Sequence, residues 1–262
     1  MLNFRFDPVE LAPDIPAFRK EIRAFLDREL ADHSAVARAH SWALFDANFS
    51  RKLGARGWIG LVWPKKYGGH ERSAIERYVL LEELLAAGAP VGAHWIADRQ
   101  SGPAILRYGT EEQKQRYLAG MARGEMYCCI GMSEPNSGSD LASVRTRATP
   151  VDGGWRLNGQ KIWTTHAHKC QLMIVLVRTH EADENNRHQG LSQFLIELDN
   201  PGIDVRPIPD LVGETHFNEV FFDDAFVPDS ALLGKQGEGW KQVTSELSLE
   251  LSGPERYLSC TQ

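Results

Sequence analysis

The chain has 262 residues, of which 42% are hydrophobic and 24% are charged. This composition is typical of a globular protein of one or two domains, and it excludes intrinsic disorder and collagen-like structure. The formal net charge of −6 provides no basic field to hold nucleic acid or an anionic membrane. Four cysteines are too few for a disulfide scaffold at this length.

The N-terminus carries no signal-peptide pattern, and the longest apolar run, at 172–177, is far shorter than the roughly 20 residues that span a bilayer. We therefore expect a soluble, cytoplasmic protein that binds neither membranes nor nucleic acid.

Residues 1–125 are predicted to form a helical N-terminal domain. Asp14 precedes a run to Leu30 whose apolar residues recur every three or four positions, as on one buried helix face. Residues 73–88 are rich in helix formers and end at Gly88, a plausible C-cap. A capping box at Thr110–Gln113 begins a further helix.

Residues 126–235 change to a strand-like period. Asn158-Gly159 lies between two β-type segments and predicts a tight hairpin. Several strands at close spacing, without helices between them, favour an antiparallel barrel or sandwich. We therefore expect an α+β protein with an antiparallel β-barrel as its middle domain. The β-type runs are 127–132, 144–149, 172–177, 192–198, 203–208 and 218–224.

Residues 236–262 return to a helical pattern, and we interpret them as the first helix of an incomplete C-terminal helical domain. Its apolar face is marked by Trp240, Val243 and Leu247. Continuing that face by three residues reaches Glu250, and a carboxylate on a buried stripe is costly unless it is paired or functional. Pro254 is expected to kink the helix. Glu246 and Glu255 are rival carboxylates on neighbouring faces.

Two stretches of the middle domain could line a ligand site. Residues 132–140 follow a predicted strand and offer hydroxyl and backbone donors, although such a stretch is more often only a turn. In residues 161–166, strand alternation places Trp163 and Thr165 on one face, which suits a planar heterocycle or simply a core tryptophan. No Rossmann fingerprint, P-loop or HExxH motif occurs. His166 and His168 lack further clustered ligands, so we predict no metal site.

These segments in their order resemble the acyl-CoA dehydrogenase family, from about Leu53 to the last residue. Three motifs carry the resemblance: Tyr108–Lys114, Ser133–Pro135 with Gly138–Asp140, and Lys161–Thr165. The resemblance implies a helical N-terminal domain, a β-barrel middle domain and a C-terminal four-helix domain that bind FAD without a Rossmann fold.

The resemblance also assigns residue roles. Backbone groups of 130–139 and the Ser133 hydroxyl would hold the flavin, and Ser139 would contact the cofactor phosphates or the acyl-CoA. Trp163 would pack on the isoalloxazine, and Thr165 would hydrogen-bond near its N5 atom. Glu250 matches the catalytic glutamate of the isovaleryl and long-chain branches. The complete implied set of cofactor contacts is Ile130, Met132, Ser133, Ser139, Trp163, Thr164 and Thr165.

The implied reaction is α,β-dehydrogenation of an acyl-CoA thioester, with Glu250 removing the α proton and the flavin accepting the β hydride. Reoxidation would pass to an electron-transfer flavoprotein. The chain departs from the family in having only the opening helix of the C-terminal domain, and in Leu251, where an arginine often follows the glutamate. Either it is a truncated product or another chain completes a homo- or hetero-oligomeric site.

Two alternatives remain open from the sequence: a non-catalytic or partner-dependent subunit with an incomplete flavin site, and a flavin oxygenase or oxidase on the same scaffold. Residues 94–99 are similar to a segment of actinobacterial members thought to act on steroid side chains, which points to fatty acid or steroid degradation.

Overall fold

The computed structural model describes residues 11–181 and 186–253, and within these it describes the side chains of all residues except 249–252. The described helices are α1 (Ile15–Glu29), α2 (Ala35–Ala39), α3 (Ala47–Ala55), α4 (Ala74–Ala86), α5 (Gly102–Tyr108), α6 (Glu111–Ala122) and α7 (Gly239–Ser252). The strands are β1 (Cys128–Gly131), β2 (Arg147–Val151), β3 (Gly154–Lys161), β4 (Leu172–Arg178), β5 (Leu191–Glu197), β6 (Ile203–Ile208), β7 (Phe217–Pro228) and β8 (Leu232–Leu233).

The helical part is built as the apolar spacing predicts. The buried face of α1 runs through Phe18, Ile22 and Phe25 and shares one core with α4. Asp14 stands at the N-cap position, but its side chain makes no capping hydrogen bond. By contrast, Thr110 and Gln113 form the predicted reciprocal capping box at the start of α6. A π-helical turn at Ala97–Ser101 leads directly into α5.

The middle of the chain forms one mixed sheet with strand order β6-β7-β3-β2-β4-β5-β8. Most neighbouring strands run antiparallel. β4 is the most buried strand of the sheet, because every residue from Leu172 to Arg178 is buried. β1 lies off this path and pairs in parallel with β4, from Cys128 opposite Leu172 to Gly131 opposite Val175. β2 also meets β4 in parallel at a single residue pair.

The predicted antiparallel β-barrel is therefore wrong in two respects: the sheet is mixed, and it is not closed. Close spacing of short strands suggests sequential hairpins, but about 40 residues separate β1 from β4. A connection of that length can return the chain in the same direction, which a two-residue turn cannot do. The edge strands β6 and β8 form no pairing with each other among the described residues, so the sheet stays open.

The predicted hairpin at Asn158-Gly159 is also wrong. β3 passes through both residues, and its register against β7 shifts between Leu157 and Gly159, which is a bulge. Gly159 adopts φ 145°, and a Cβ there would lie 2.7 Å from the Thr146 Cα. The tight turn lies instead at Asp152-Gly153, between the paired ends of β2 and β3.

Helix α7 packs against the sheet at the end of the described chain. Val243 is fully buried with Leu176 and Leu191 of the sheet, and Trp240 stacks on His188 with ring centroids 3.9 Å apart. Pro254, the predicted kink, lies outside the described residues. None of the described helices is long and apolar enough to cross a membrane.

Candidate active-site cleft

A cleft of about 410 Å³ lies where the helical part, the sheet and α7 meet. Its size falls in the range of roughly 300–1,000 Å³ that is usual for small-molecule sites. Its walls bring together five of the residues singled out from the sequence, although these are spread over 36 positions: Ile130, Met132, Ser133, Trp163 and Thr165.

The loop that follows β1 is fixed by its own backbone. The Glu134 and Ser137 amides and carbonyls exchange two hydrogen bonds, of 2.7 and 3.0 Å, which close a tight turn. The Ile162 amide donates to the Ser133 carbonyl at 2.9 Å. This contact ties the first predicted stretch directly to the second, which explains why both reach the same cleft.

A buried ion pair lies beneath this loop. The Lys161 ammonium is fully buried, donating to the Met132 carbonyl at 3.0 Å and to the Glu134 carboxylate at 2.8 Å. The same carboxylate accepts the backbone amides of Arg145 and Thr146, at 2.7 and 2.8 Å. These hydrogen bonds, from the loop and from the two residues before β2, compensate the buried charges, as a buried ion pair requires.

The pKa values of the pair follow from this setting. Burial lowers the pKa of Lys161 to about 8, although the attraction of Glu134 opposes the shift. Burial also disfavours the Glu134 carboxylate, but the Lys161 charge and the hydrogen bonds outweigh it, so its pKa is lowered. Lys161 was noted in the sequence only as part of a motif. The sequence signal that could have predicted this ion pair was a lysine within a β-type segment together with a glutamate in the loop after β1.

Trp163 presents its ring to the cleft. It adopts φ 60°, in the left-handed region that non-glycine residues rarely occupy, and 57% of the residue is exposed. The Phe217 ring meets it edge-on at 6.0 Å between centroids. A large exposed indole held in a strained backbone conformation is a feature of ligand sites rather than of a core.

Thr164 and Thr165 face opposite ways. Thr165 lines the cleft, whereas Thr164 is buried and exchanges hydrogen bonds with Asn218 through its amide and its carbonyl, at 3.1 and 2.8 Å. The Thr164 hydroxyl has no partner among the described residues. Ser139 is exposed and is not among the residues that line the cleft.

The helical wall of the cleft was not found from the sequence. Trp42, Trp95 and Arg99 line it, and the Arg99 guanidinium lies over both indole rings, 5.3 and 5.2 Å from their centroids. Helical spacing alone would assign both tryptophans to the core. The one sequence signal for this wall was an arginine, Arg99, among apolar positions. Segment 94–99 was singled out for its resemblance to other family members, not for the arginine and its neighbouring tryptophan.

His166 joins the two halves of the site. Its backbone is left-handed, with φ 53°, and its Nε2 atom is 3.0 Å from the Ala43 carbonyl of the helical part. Burial, and to a lesser extent the electrostatic influence of the neighbouring Lys169 and His216, lowers the pKa of His166 to about 4. A neutral imidazole therefore donates from Nε2 at neutral pH, and we interpret His166 as a tether between the two walls.

Helix α7 supplies the third wall through Leu247. Glu250 lies within the helix, but its side chain is outside the described part of the chain. Glu246 is 1% exposed, and its carboxylate accepts a 3.1 Å hydrogen bond from Gln193 of β5. The sequence placed Glu246 on a neighbouring face, and the structure places it against the sheet, deeper than the face that Leu247 presents to the cleft.

The described residues contain one group that could hold a cation. The ligand atoms of Asp210, Glu214 and His216 lie within 4.8 Å of one another on the surface. Glu214 already accepts a 2.8 Å hydrogen bond from His216. We assign no metal to this exposed group, and the absence of a metal site stays a prediction.

The cleft residues fit a flavin. An exposed indole face, the hydroxyls of Ser133 and Thr165, and a fixed backbone loop surround a cavity of suitable size. Such a set offers a stacking surface beside hydrogen-bonding groups, as a planar polar heterocycle needs. Together the helical part, the mixed sheet and this cleft define a fold of the acyl-CoA dehydrogenase type.

Comparisons with known proteins agree with that class. The family model "Acyl-CoA dehydrogenase, N-terminal domain" matches residues 13–125, and "Acyl-CoA dehydrogenase, middle domain" matches residues 129–225. The chain belongs to the acyl-CoA dehydrogenase family.

Individual relatives are similar over most of this chain. The acyl-CoA dehydrogenase IpdE1 of Mycobacterium tuberculosis is 36% identical over 251 residues, covering 90% of this chain and 63% of that protein. The mitochondrial isovaleryl-CoA dehydrogenase of Oryza sativa subsp. japonica is 31% identical, covering 89% of this chain and 57% of its own length. A solved steroid acyl-CoA dehydrogenase, Tcur3481-Tcur3483, is 32% identical with a TM-score of 0.81, covering 92% of this chain and 62% of that one. The chain thus spans less than two thirds of the length of these relatives.

Proposed function

We propose that the protein takes part in FAD-dependent α,β-dehydrogenation of an acyl-CoA thioester. The observation that carries this proposal is the cleft in which the 132–133 loop, Trp163 and Thr165 meet helix α7. Membership of the acyl-CoA dehydrogenase family supports it. When bound, the flavin supplies the acceptor for the hydride that leaves the substrate β carbon.

The chain's own groups have distinct parts in this proposal. The Ser133 hydroxyl and the loop backbone hold the flavin, Trp163 packs against its ring system, and Thr165 hydrogen-bonds at the ring edge. Thr164 directly precedes Thr165 in the chain, so its backbone lies next to this contact. Ser139, which is exposed beyond the loop, contacts the phosphates of the cofactor or of the acyl-CoA.

Glu250 is the proposed general base, which removes the α proton. Leu247 lines the cleft, and a residue three positions later lies on the same face of a helix, about one turn further along. Glu246 is a weaker candidate because it is buried against β5 and hydrogen-bonded to Gln193. The α C–H is a poor acid, so the base needs a desolvated position that raises its affinity for the proton.

The partners are proposed on the same basis. We infer that an electron-transfer flavoprotein reoxidises the flavin in the cytoplasm, and that a second polypeptide, identical or different, completes the site in an oligomer. The solved ChsE4-ChsE5 complex of Mycobacterium tuberculosis, 30% identical with a TM-score of 0.80, supports a two-chain arrangement. The similarity to a steroid acyl-CoA dehydrogenase supports a fatty or steroid-derived acyl group.

The test is anaerobic reduction of the bound flavin by a panel of acyl-CoAs, followed at its visible absorbance. Glu250→Gln is expected to retain FAD and to lose reduction by about 10²–10⁴-fold or more, the range for removing a general base. Glu246→Gln is the matched control and should reduce at close to the normal rate.

Each other outcome has a defined meaning. Normal reduction in Glu250→Gln would show that the base comes from elsewhere. A protein that binds no FAD even with its partner chain would be a non-catalytic subunit, and rapid reoxidation by O₂ would identify an oxidase.

A further inference from the structure

Two consecutive carbonyls of the loop after β1 are held by residues of the second motif. The Met132 carbonyl accepts a 3.0 Å hydrogen bond from the Lys161 ammonium. The Ser133 carbonyl accepts a 2.9 Å hydrogen bond from the Ile162 amide. Because the Lys161 side chain is fully buried, the Met132 carbonyl is directed into the protein rather than into the cleft.

The orientation of the Met132 carbonyl sets the direction of the Ser133 amide. Both groups belong to one trans peptide unit, in which the C=O and N–H bonds point in opposite directions. Since the carbonyl is turned inward to Lys161, the Ser133 N–H points outward, on the side where Ser133 lines the cleft. This N–H donates to no backbone carbonyl among the described residues, so it is available to a ligand.

The Glu134 carboxylate has a different part. It accepts hydrogen bonds from the Lys161 ammonium and from the amides of Arg145 and Thr146, and these contacts compensate the buried positive charge. An ionised carboxylate has no proton to donate, so the Met132 carbonyl depends on the Lys161 nitrogen and not on Glu134. The stability of the ion pair and the direction of the peptide unit therefore depend on different atoms, which substitutions can separate.

We propose that Lys161 is a positioning residue for the flavin: by holding the Met132 carbonyl, it turns the Ser133 amide toward the cleft, where that amide donates a hydrogen bond to the flavin ring. This inference rests on the proposed function, under which the loop binds FAD. Lys161 is fully buried and does not line the cleft, so it acts through the loop and not by contact with the cofactor. A purely structural role would instead make FAD affinity follow the stability of the fold.

The test compares FAD affinity with stability. The protein, with any chain that co-purifies with it, is stripped of flavin and titrated with FAD, and the dissociation constant is read from the flavin fluorescence. The stability of the apoprotein is measured by urea unfolding. Lys161→Met removes the donor to the Met132 carbonyl and leaves Glu134 unpaired. The FAD dissociation constant should rise at least about tenfold, the loss expected for one hydrogen bond to a ligand, and the urea midpoint should fall.

Two further variants separate the donor from the charge. Glu134→Gln also lowers stability, but the Lys161 nitrogen can still donate to the Met132 carbonyl, so the FAD dissociation constant should rise no more than about threefold. The double variant Lys161→Met with Glu134→Gln holds no unpaired charge, so it should be more stable than Lys161→Met. It still lacks the donor, and its dissociation constant should stay at least about tenfold above that of the wild type.

Glu83→Gln is the matched control for loss of a buried ion pair elsewhere. Glu83 is 6% exposed in the helical part, and its carboxylate accepts a 2.7 Å hydrogen bond from Arg23. The variant should be less stable than the wild type and should bind FAD as tightly. The visible circular dichroism of the flavin, recorded at saturating FAD, should change in both Lys161 variants, because a donor to the ring has turned away, and should be unchanged in Glu83→Gln.

Three results would overturn the inference. Wild-type FAD affinity in Lys161→Met contradicts it and leaves the proposed function standing. Recovery of FAD affinity together with stability in the double variant shows that the pair is only structural, and this variant decides alone if Lys161→Met does not fold. If the wild-type protein binds no FAD with its co-purifying chain, the proposed function fails and the positioning role fails with it.

Discussion

The two walls of the cleft are held in place by different interactions. On the sheet side, the buried Lys161–Glu134 pair binds the backbone of the 132–134 loop, so charge fixes the position of the loop. On the helical side, stacked rings hold Arg99, and His94 is buried as a neutral group whose Nδ1 atom lies 2.7 Å from the Ser50 hydroxyl. The sheet wall depends on a charge that stays paired, whereas the helical wall depends on a histidine that stays uncharged.

This difference predicts where the protein is vulnerable. Removing one partner of a buried ion pair is destabilising, because the remaining charge has neither a counter-ion nor water to stabilise it. A buried neutral histidine is destabilising at low pH, because protonation places an unsolvated charge in the interior. Removing one partner of the ion pair should therefore act on the sheet wall, whereas acid should act on the helical wall and on the His166 tether between the walls.

The largest expected effect is that of Lys161→Met. The substitution leaves the Glu134 carboxylate buried without its cation, and removing one partner of a buried pair costs about 3–5 kcal/mol. The free energy of unfolding, measured in urea at neutral pH, should fall by this amount. The Met132 carbonyl also loses its donor, so FAD should dissociate more readily.

The double variant Lys161→Met with Glu134→Gln is the control. It removes both charges, so it should be more stable than Lys161→Met alone. If Lys161→Met unfolds at the same urea concentration as the wild type, the sheet wall does not depend on the pair.

The second effect concerns acid and the helical wall. Burial lowers the pKa of His94 from its ordinary value near 6.5 to about 4. Between these two pH values the unfolded chain binds a proton that the folded chain does not. The stability is therefore complete above pH 6.5 and is lost as the pH falls toward 4, by about 3 kcal/mol at most for this one group.

Urea unfolding of the wild type and of His94→Gln at pH 7.5, 5.5 and 4.5 checks this. The variant should lose less stability between pH 7.5 and 4.5 than the wild type does, and His166, whose pKa is also about 4, should account for part of the remaining loss. Parallel pH profiles for the two proteins would contradict a neutral His94.

The smallest effect is expected at the rim of the sheet. The Arg187–Asp140 ion pair has both side chains 57% exposed. Water screens such a pair, so Arg187→Gln should change the free energy of unfolding by less than about 0.5 kcal/mol. A loss above about 1 kcal/mol in the same urea assay would mean that exposure does not separate this pair from Lys161–Glu134.

Local signals in the sequence predicted the elements, but not how the strands associate. The capping box at Thr110 and the buried face of α1 depend on neighbours within a few residues, and both are confirmed. The parallel pairing of β1 with β4 depends on a connection of about 40 residues, which periodicity does not describe. The Asn158-Gly159 signal failed because Gly159 is required by the close approach of Thr146 rather than by a turn.

The site divides in the same way. The sequence singled out residues of the sheet wall because they lie in two short motifs, which the Ile162–Ser133 hydrogen bond joins at one cleft. The helical wall was missed because Trp42 and Arg99 are 57 positions apart and lie in segments whose pattern resembles an ordinary core. The role of Glu250 stays a prediction, as its side chain lies outside the described residues.

The π-helical turn at Ala97–Ser101 constrains how this wall can change during evolution. A π turn holds about one residue more than an α turn. Deleting one residue between Arg99 and α5 would rotate Arg99 by about 100° relative to Ala104 and Ile105, the buried residues of α5. Arg99 could not then line the cleft while Ala104 and Ile105 stay buried. Descendants of this chain should therefore reshape the helical wall of the cleft by replacing side chains at 95 and 99, while the number of residues between them and α5 stays constant.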